Sequence, residues 1–427
     1  MSRDLCFLIA SGAARNLGFG FYNIIFAIYL SKLGFNTITI GAVITVSSIS
    51  GVVQTLVGSI LMDRYSRKRV MLFFGVLTFF GSGVMALSSD PLVVVTMSAL
   101  GLIGARAGGS GAGGMGGPVM VGQVAMLADR TTDRERNTIF AINAFALHGS
   151  GAIGALLASL PEILQGYAIE EFASYRALFA IGALMSLLYI GLLLGYRERK
   201  SERRAAMGPA SEQKDAGRAT IIPKVSRSFV TKMALLGAID SFGASLHGSL
   251  LSYWFFVVHG ASLTVLGPLF AVSNLIGSVT MLIGAKLADR IGNVNATVLT
   301  HLPAPLLLML LPFAPDFYWA AAIQICRQAI SRMDNPIKQS YMMSIVPREE
   351  RARARGFTMV FQRLPSSFSP SAAAYLMSAV STSMPFYIGG FIQLCHDILY
   401  YFTFRHIKPP EELARERLEL APSDEDD

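Results

Sequence analysis

Between residues 324 and 341 the chain reads QICRQAISRMDNPIKQSY, a dense run of ionisable and amide side chains inside an apolar protein. Gln324, Arg327, Ser331, Asp334, Lys338 and Tyr341 recur at steps of three or four, which places them on one face of a helix. Gln328, Arg332, Asn335 and Gln339 form a second stripe beside the first. Guanidinium, ammonium and carboxylate groups so aligned can hold a charged solute, pair with one another, or exchange protons. Further ionisable groups stand alone in other apolar stretches: Arg15, Arg106, Asp240, His247 and Arg363. Asp240 and His247 are seven apart and share a helical face. Asp240 is one of few interior carboxylates among several arginines, so a pairing with Arg327 or Arg332 is expected. The spacing of Arg327 and Asp334 also permits a local contact within one helix. Asp240 and Asp334 are candidates for a carboxyl that changes protonation between two states, and a static ion pair fits the same residues. His148 and the pair His396–Asp397 are expected to be packing residues.

What must position these groups is a set of membrane helices. The 427 residues are 52% hydrophobic and 15% charged, with a mean hydropathy of +0.49. Soluble domains carry roughly a quarter charged residues, so this chain cannot cover a water-facing surface in the usual way. Apolar stretches of about 20 residues, the length that crosses a hydrocarbon core, recur twelve times: 5–31, 39–62, 70–88, 92–127, 138–160, 175–196, 229–258, 264–288, 294–313, 317–346, 356–380 and 384–404. Arg15 and Asn16 make the first stretch too polar for a cleavable leader. An ionisable side chain at mid-membrane costs about 2.5–3.5 kcal/mol on insertion scales, so the groups above must face a cavity or a partner rather than lipid. Cys6, Cys326 and Cys395 show neither metal spacing nor a disulfide framework.

One glycine pattern points elsewhere at first. In GARAGGSGAGGMGGP, residues 104–118, Gly109, Gly111 and Gly114 satisfy the spacing of a dinucleotide-binding loop. That spacing acquires meaning only between a strand and a helix, and no strand-like segment precedes it. No lysine follows as in a P-loop. Inside a membrane helix, glycines instead allow close backbone approach.

The net charge of +8 is distributed asymmetrically. With the N-terminus placed in the cytoplasm, 26 of the 36 Lys and Arg fall on that side, Lys32 and Arg176 fall outside, and 8 lie within or at the ends of spans. This is the positive-inside distribution; it orients the chain and calls for no nucleic acid.

The sequence also repeats. SILMDRYSRKRVM (59–71) and AKLADRIGNVNAT (285–297) bring Asp63–Arg64 and Asp289–Arg290 into register. PVMVGQVAMLADRTTDRERNTIF (118–140) aligns with PIKQSYMMSIVPREERARARGFT (336–358), with Pro118 over Pro336. Two halves follow: an N-terminal six-helix bundle (1–196) and a C-terminal one (229–404). A charged, small-residue linker (197–228) joins them, and a tail (405–427) follows. On these motifs the chain resembles the major facilitator superfamily, whose D-R-x-G-R-K loop after the second helix is matched by DRYSRK and more weakly by DRIGNV. Ser66 replaces the loop glycine in the first copy and Gly292 keeps it in the second.

The resemblance implies an all-α membrane protein of twelve transmembrane helices in two pseudo-symmetric bundles, working by rocking alternating access around a central site. It also implies a cytoplasmic latch. Asp63 would accept hydrogen bonds at a helix N-terminus, where the macrodipole favours negative charge, with Arg64, Arg67, Lys68, Asp289 and Arg290 completing it. Arg106 resembles the arginine of the superfamily's R-x-x-Q-G motif, often linked to proton coupling, although Gly109 stands where the glutamine would be. Pro365 and Pro370 in QRLPSSFSPSAAAY suggest a bend near Arg363.

The expected function is secondary active transport of a small solute across the cell membrane, with both termini cytoplasmic. Protons are a candidate coupling ion. Excess interior arginine over carboxylate favours an anionic substrate. The cavity set is Arg15, Arg106, His247, Gln324, Arg327, Arg332, Lys338 and Arg363. The alternatives are multidrug-type efflux of amphipathic compounds and a non-transporting sensor of the same fold. The sequence offers no nucleophile–base set or metal-ligand motif, so neither an enzyme, a cofactor nor a metal is expected. The expected partners are the solute, protons and the bilayer, with the protein as a monomer.

Overall fold

The computed structural model describes residues 2–103, 117–131, 133–198, 226–347 and 350–407. The first bundle contains α1 (Arg3–Lys32), α2 (Thr37–Arg64), α3 (Arg67–Leu87), α4 (Pro91–Ala99), α5 (Pro118–Arg130), α6 (Asp133–Leu157), α7 (Leu160–Gly166) and α8 (Glu171–Gly195). The second contains α9 (Arg227–Gly248), α10 (Leu251–His259), α11 (Leu263–Ile291), α12 (Asn293–His301), α13 (Pro303–Leu310), α14 (Phe317–Ser331), α15 (Asp334–Ile345), α16 (Arg351–Ala379) and α17 (Met384–Phe404). No strand occurs among the described residues.

Several apolar stretches fold as two successive helices rather than one. The stretch at 229–258 breaks between α9 and α10 at Ser249–Leu250, and 294–313 breaks where Pro303 opens α13. The polar stretch at 317–346 breaks at Arg332–Met333. Pro336 explains that break, because restarting the helix at Asp334 leaves proline in a first turn, where no backbone donor is required. Seven described helical spans are long and apolar enough to cross a membrane: Thr37–Met62, Arg67–Leu87, Ile142–Gly166, Glu171–Gly195, Arg227–His259, Leu263–Met281 and Asn293–Phe313. The remaining stretches lie partly outside the described residues or carry the polar groups that need an interior.

Packing repeats between the bundles. Helix α1 lies along α6 and α8, as α9 lies along α16 and α17. The bundles then exchange partners, α2 packing on α16 and α11 on α6. Glycine makes the closest of these approaches possible. A Cβ on Gly154 of α6 would lie 2.0 Å from the Leu17 carbonyl oxygen, and one on Gly20 of α1 would lie 2.4 Å from that of Gly151. Only bare backbone fits there.

The apolar core is not uniform along the bundle axis. One end of the molecule carries the arginine-rich loops and is called the basic end. At the opposite end a single apolar cluster spans both bundles, from Phe21, Ile25 and Tyr29 through Ile40 and Ile44 to Trp254, Phe255, Leu266, Ala373 and Phe386. At the basic end there are two clusters instead. Leu8, Met71, Leu127, Leu193 and Tyr196 belong to the first bundle, and Val230, Tyr341, Ala354 and Phe404 belong to the second.

Polar contacts follow the same division. Ser371 in α16 bonds Thr45 in α2, by backbone nitrogen at 2.9 Å and hydroxyl at 2.8 Å. Ser159 donates to the Leu263 carbonyl at 3.0 Å. Glu162 of α7 caps α11 by accepting from the amides of Leu263 (2.6 Å) and Thr264 (2.8 Å), an anion set at the positive end of a helix dipole. Thr37 meets Tyr253 at 3.2 Å. Among the described residues, every hydrogen bond between the bundles lies at this opposite end. The bundles therefore share one core at this end and keep separate cores at the basic end.

Gly154→Leu is expected to destabilise the protein by roughly 1–3 kcal/mol through overpacking, read as a lowered unfolding temperature in detergent. Gly149→Ala, where an added Cβ meets nothing within 4 Å, should leave that temperature unchanged or slightly raised.

Candidate functional site

The two polar stripes turn inward, as their insertion cost requires. Gln324, Arg327, Gln328, Arg332, Asp334 and Tyr341 are buried, while Asn335 and Gln339, past the helix break, are exposed. What they meet differs from the sequence expectation. Arg327 does not pair with Asp240. Its Nε donates to Gln324 Oε1 at 2.9 Å, Nη2 to Gln328 Oε1 at 3.5 Å, and Nη1 lies 3.3 Å from Nε2 of His247. His247 completes that contact from the last turn of α9, with Nδ1 3.2 Å from the Gly243 carbonyl. Arg332 reaches α11, donating from Nη2 to Asn274 Oδ1 at 2.8 Å, while its Nε and Nη1 are buried without a hydrogen-bond partner. Among the described residues, neither guanidinium has a carboxylate within salt-bridge distance.

The carboxylates gather elsewhere, around Lys338. Its ammonium lies 2.7 Å from Asp334 Oδ2, one turn earlier in α15, and 3.4 Å from Asp240 Oδ2 across the interface with α9. Asp334 and Lys338 stand four apart in α15, the spacing that brings two side chains together on one helix face. Gln393 of α17 donates to Asp240 Oδ1 at 3.4 Å.

Two histidines join the cluster. His301, the last residue of α12, places Nε2 3.8 Å from Asp240 Oδ1 and 4.0 Å from Asp334 Oδ2. Its Nδ1 lies 2.7 and 2.9 Å from the two oxygens of Asp397. His396 Nδ1 contacts the same carboxylate at 3.0 Å. His396 and Asp397 are thus not inert packing but part of a network drawn from α9, α12, α15 and α17. Asp334, Asp397, His301 and His396 are almost completely buried, and Asp240 retains about a fifth of its side-chain exposure.

The other predicted residues scatter. Arg15, half-buried in α1, stands with its guanidinium carbon 4.6 Å from the Phe19 ring centroid, a cation–π contact. Arg363 is half-buried in α16, which runs as one helix through Pro365 and Pro370. The hydroxyls of Ser366 and Ser367 both bond the Arg363 carbonyl, at 2.9 and 2.8 Å. Arg106 lies outside the described residues, as do the side chains of Asp63 and Asp289.

The basic followers of Asp63 act within the first bundle. Arg67 pairs with Asp129 at the end of α5. Lys68 donates to the carbonyls of Leu194 (3.0 Å) and Tyr196 (2.6 Å), satisfying the open end of α8. Arg130, in the second motif, bonds Asp4 at 2.8 Å. Arg64 and Arg290 are exposed.

His301 and Gln393 were missed by sequence reasoning. For His301 a signal existed, an ionisable group inside an apolar stretch, the criterion that found Asp240. Gln393 gave none.

Comparison with known proteins agrees with this architecture. The family profile described as Major Facilitator Superfamily matches residues 8–370. A curated relative, an uncharacterized membrane protein of Saccharomyces cerevisiae, is 20% identical over 431 residues, covering 94% of each chain. Among solved structures, a POT family transporter in complex with a thioalcohol-conjugated peptide superposes with a TM-score of 0.72 at 12% identity, over 95% of this chain and 97% of the other. The inward-open xylose transporter XylE from E. coli gives a TM-score of 0.70 at 13% identity, over 93% and 96%.

Lys338→Met is expected to cost on the order of 3 kcal/mol, because it strands two carboxylates. Adding Asp334→Asn should recover part of that loss. A double-mutant cycle on unfolding temperature measures the coupling, which the geometry requires to be well above the 0.2–1 kcal/mol typical of about any exposed pair.

Proposed function

Because the chain belongs to the Major Facilitator Superfamily, we propose that it is a secondary transporter carrying a small, negatively charged solute between its two bundles by alternating access. The observation that carries the charge preference is the pair Arg327 and Arg332. Both are buried, both are answered by neutral acceptors, and Arg332 keeps two donors unused. A carboxylate or phosphate on a solute supplies the missing acceptors, and a guanidinium fork suits such groups in bidentate geometry. The shared fold of a xylose transporter and a peptide-bound transporter supports a small-molecule passage.

Orientation follows from the basic loops. The positive-inside rule puts the basic end and both termini in the cytoplasm of a cell-membrane protein. On this reading the shared core lies toward the outside, and the separate cores at the basic end support an arrangement in which the cytoplasmic side is the one that opens. The transport bundles are residues 1–196 and 229–404, and a monomer suffices for the cycle. Turning outward requires breaking the Thr45–Ser371 contact and the Glu162 cap, and closing the basic end in exchange.

In proteoliposomes, organic anions should accumulate and lipophilic cations should not; the opposite preference overturns the reading. Arg332→Gln should lower anion uptake at least tenfold, with Arg332→Lys restoring little. Comparing uptake with and without a pH gradient decides whether protons drive it. A disulfide between Thr45→Cys and Ser371→Cys, built in a cysteine-free background, should arrest transport until reductant is added.

A further inference from the structure

We propose that the cluster around Asp397 is a binding site for a first-row divalent transition-metal cation, with His301, His396 and Asp240 as ligands. One ring nitrogen from each histidine and one oxygen of Asp240 lie within 4.8 Å of one another. Tetrahedral bonds of about 2.0–2.2 Å place donor atoms about 3.4 Å apart, so a side-chain adjustment of roughly an ångström closes the set. Asp334, whose Oδ2 is 4.0 Å from His301 Nε2, is available as a fourth donor.

The orientation of the rings is the stronger argument. An ionised carboxylate only accepts, so Asp397 takes a proton bond from Nδ1 of both His301 and His396. That contact requires a proton on Nδ1, so a metal would bind each ring through Nε2, releasing any proton held there. For His301 this nitrogen faces the carboxylates of Asp240 and Asp334. A carboxylate behind a histidine, holding its far nitrogen ready, is the arrangement that supports metal-bound imidazole. Asp397 is therefore a positioning residue. It serves two rings at once, from a place where it is almost wholly buried.

Charge points the same way. Two carboxylates, Asp240 and Asp334, flank the Lys338 ammonium, and a third, Asp397, holds the rings of His301 and His396. Arg327 and Arg332 balance the count across the second bundle, yet they lie outside salt-bridge distance of all three. A deficit of positive charge in a desolvated pocket favours a cation, and two imidazoles with a carboxylate select a transition metal over calcium or magnesium. Lys338 holds part of that place. An arriving cation displaces its ammonium from Asp240 and Asp334, and a departing one lets it return, so the site exchanges rather than locks its ion.

The site uses none of the arginines invoked for anion binding, so its failure leaves that reading untouched. Full-length protein in detergent is titrated with Co²⁺, whose visible d–d bands report nitrogen and oxygen coordination. One equivalent should bind with such bands, displaced by Zn²⁺ and not by Ca²⁺. His301→Ala with His396→Ala should weaken binding at least tenfold. Asp397→Asn should weaken it about 10–100-fold, the usual loss for such a supporting partner. Lys338→Gln should tighten it at least tenfold, a gain that misfolding cannot imitate. Absence of a stoichiometric Co²⁺ spectrum in the unaltered protein, or a Lys338→Gln variant that binds no tighter, overturns the site.

Discussion

The two bundles share one apolar core at a single end, and every other property of the structure is arranged around that restriction. Where Phe21, Tyr29, Ile44, Trp254, Leu266 and Ala373 merge into one cluster, the bundles are held by contact and by small polar clasps such as the Glu162 cap. At the basic end each bundle keeps its own core and stabilises itself separately. The arginine-rich motifs contribute to that independence. Arg67 with Asp129, Lys68 with the end of α8, and Arg130 with Asp4 all fasten the first bundle to itself. Two bodies that are internally secured and mutually bound at only one end are what a rocking movement requires.

Between those ends, among the described residues of the second bundle, the buried arginines and the carboxylates are separated in space. Arg327 and Arg332 occupy one region with amides and His247, while Asp240, Asp334 and Asp397 surround Lys338 in another. Pairing each guanidinium directly with a carboxylate would have been the cheaper solution, since a matched buried pair offsets part of its desolvation. Instead Asp334 pairs with Lys338 one turn later in α15, while Arg332 keeps guanidinium donors unsatisfied.

Much of the architecture was legible because the bilayer imposes length and polarity rules that a single sequence can display. The membrane class, the repeat of Asp63–Arg64 at Asp289–Arg290, and the inward turn of Arg327 and Arg332 all follow from such rules. Partner choice was not legible. Asp240 was expected to meet an arginine and meets Lys338, because the partner across the interface of α9 and α15 depends on how the two helices pack, which periodicity does not reveal. The histidine cluster escaped for a related reason: its members come from α9, α12 and α17, and no chain spacing announces a site assembled from three separate helices. His396 and Asp397 read as ordinary neighbours until His301 is brought against them.

The repeat makes the two halves look equivalent, yet their interiors are unequal in kind. Among the described residues, the first bundle buries the pair Gln123 and Asn143, whose side chains bond at 2.9 Å, whereas the cluster of Asp240, Asp334, Asp397 and Lys338 belongs to the second. Backbone symmetry and chemical symmetry have parted. A solute entering along the pseudo-twofold axis would be gripped off-axis, by one wall alone. During each stroke that wall would act as the vehicle, bearing the cargo and its hydration, while the opposite half would serve as the smooth hull against which it slides.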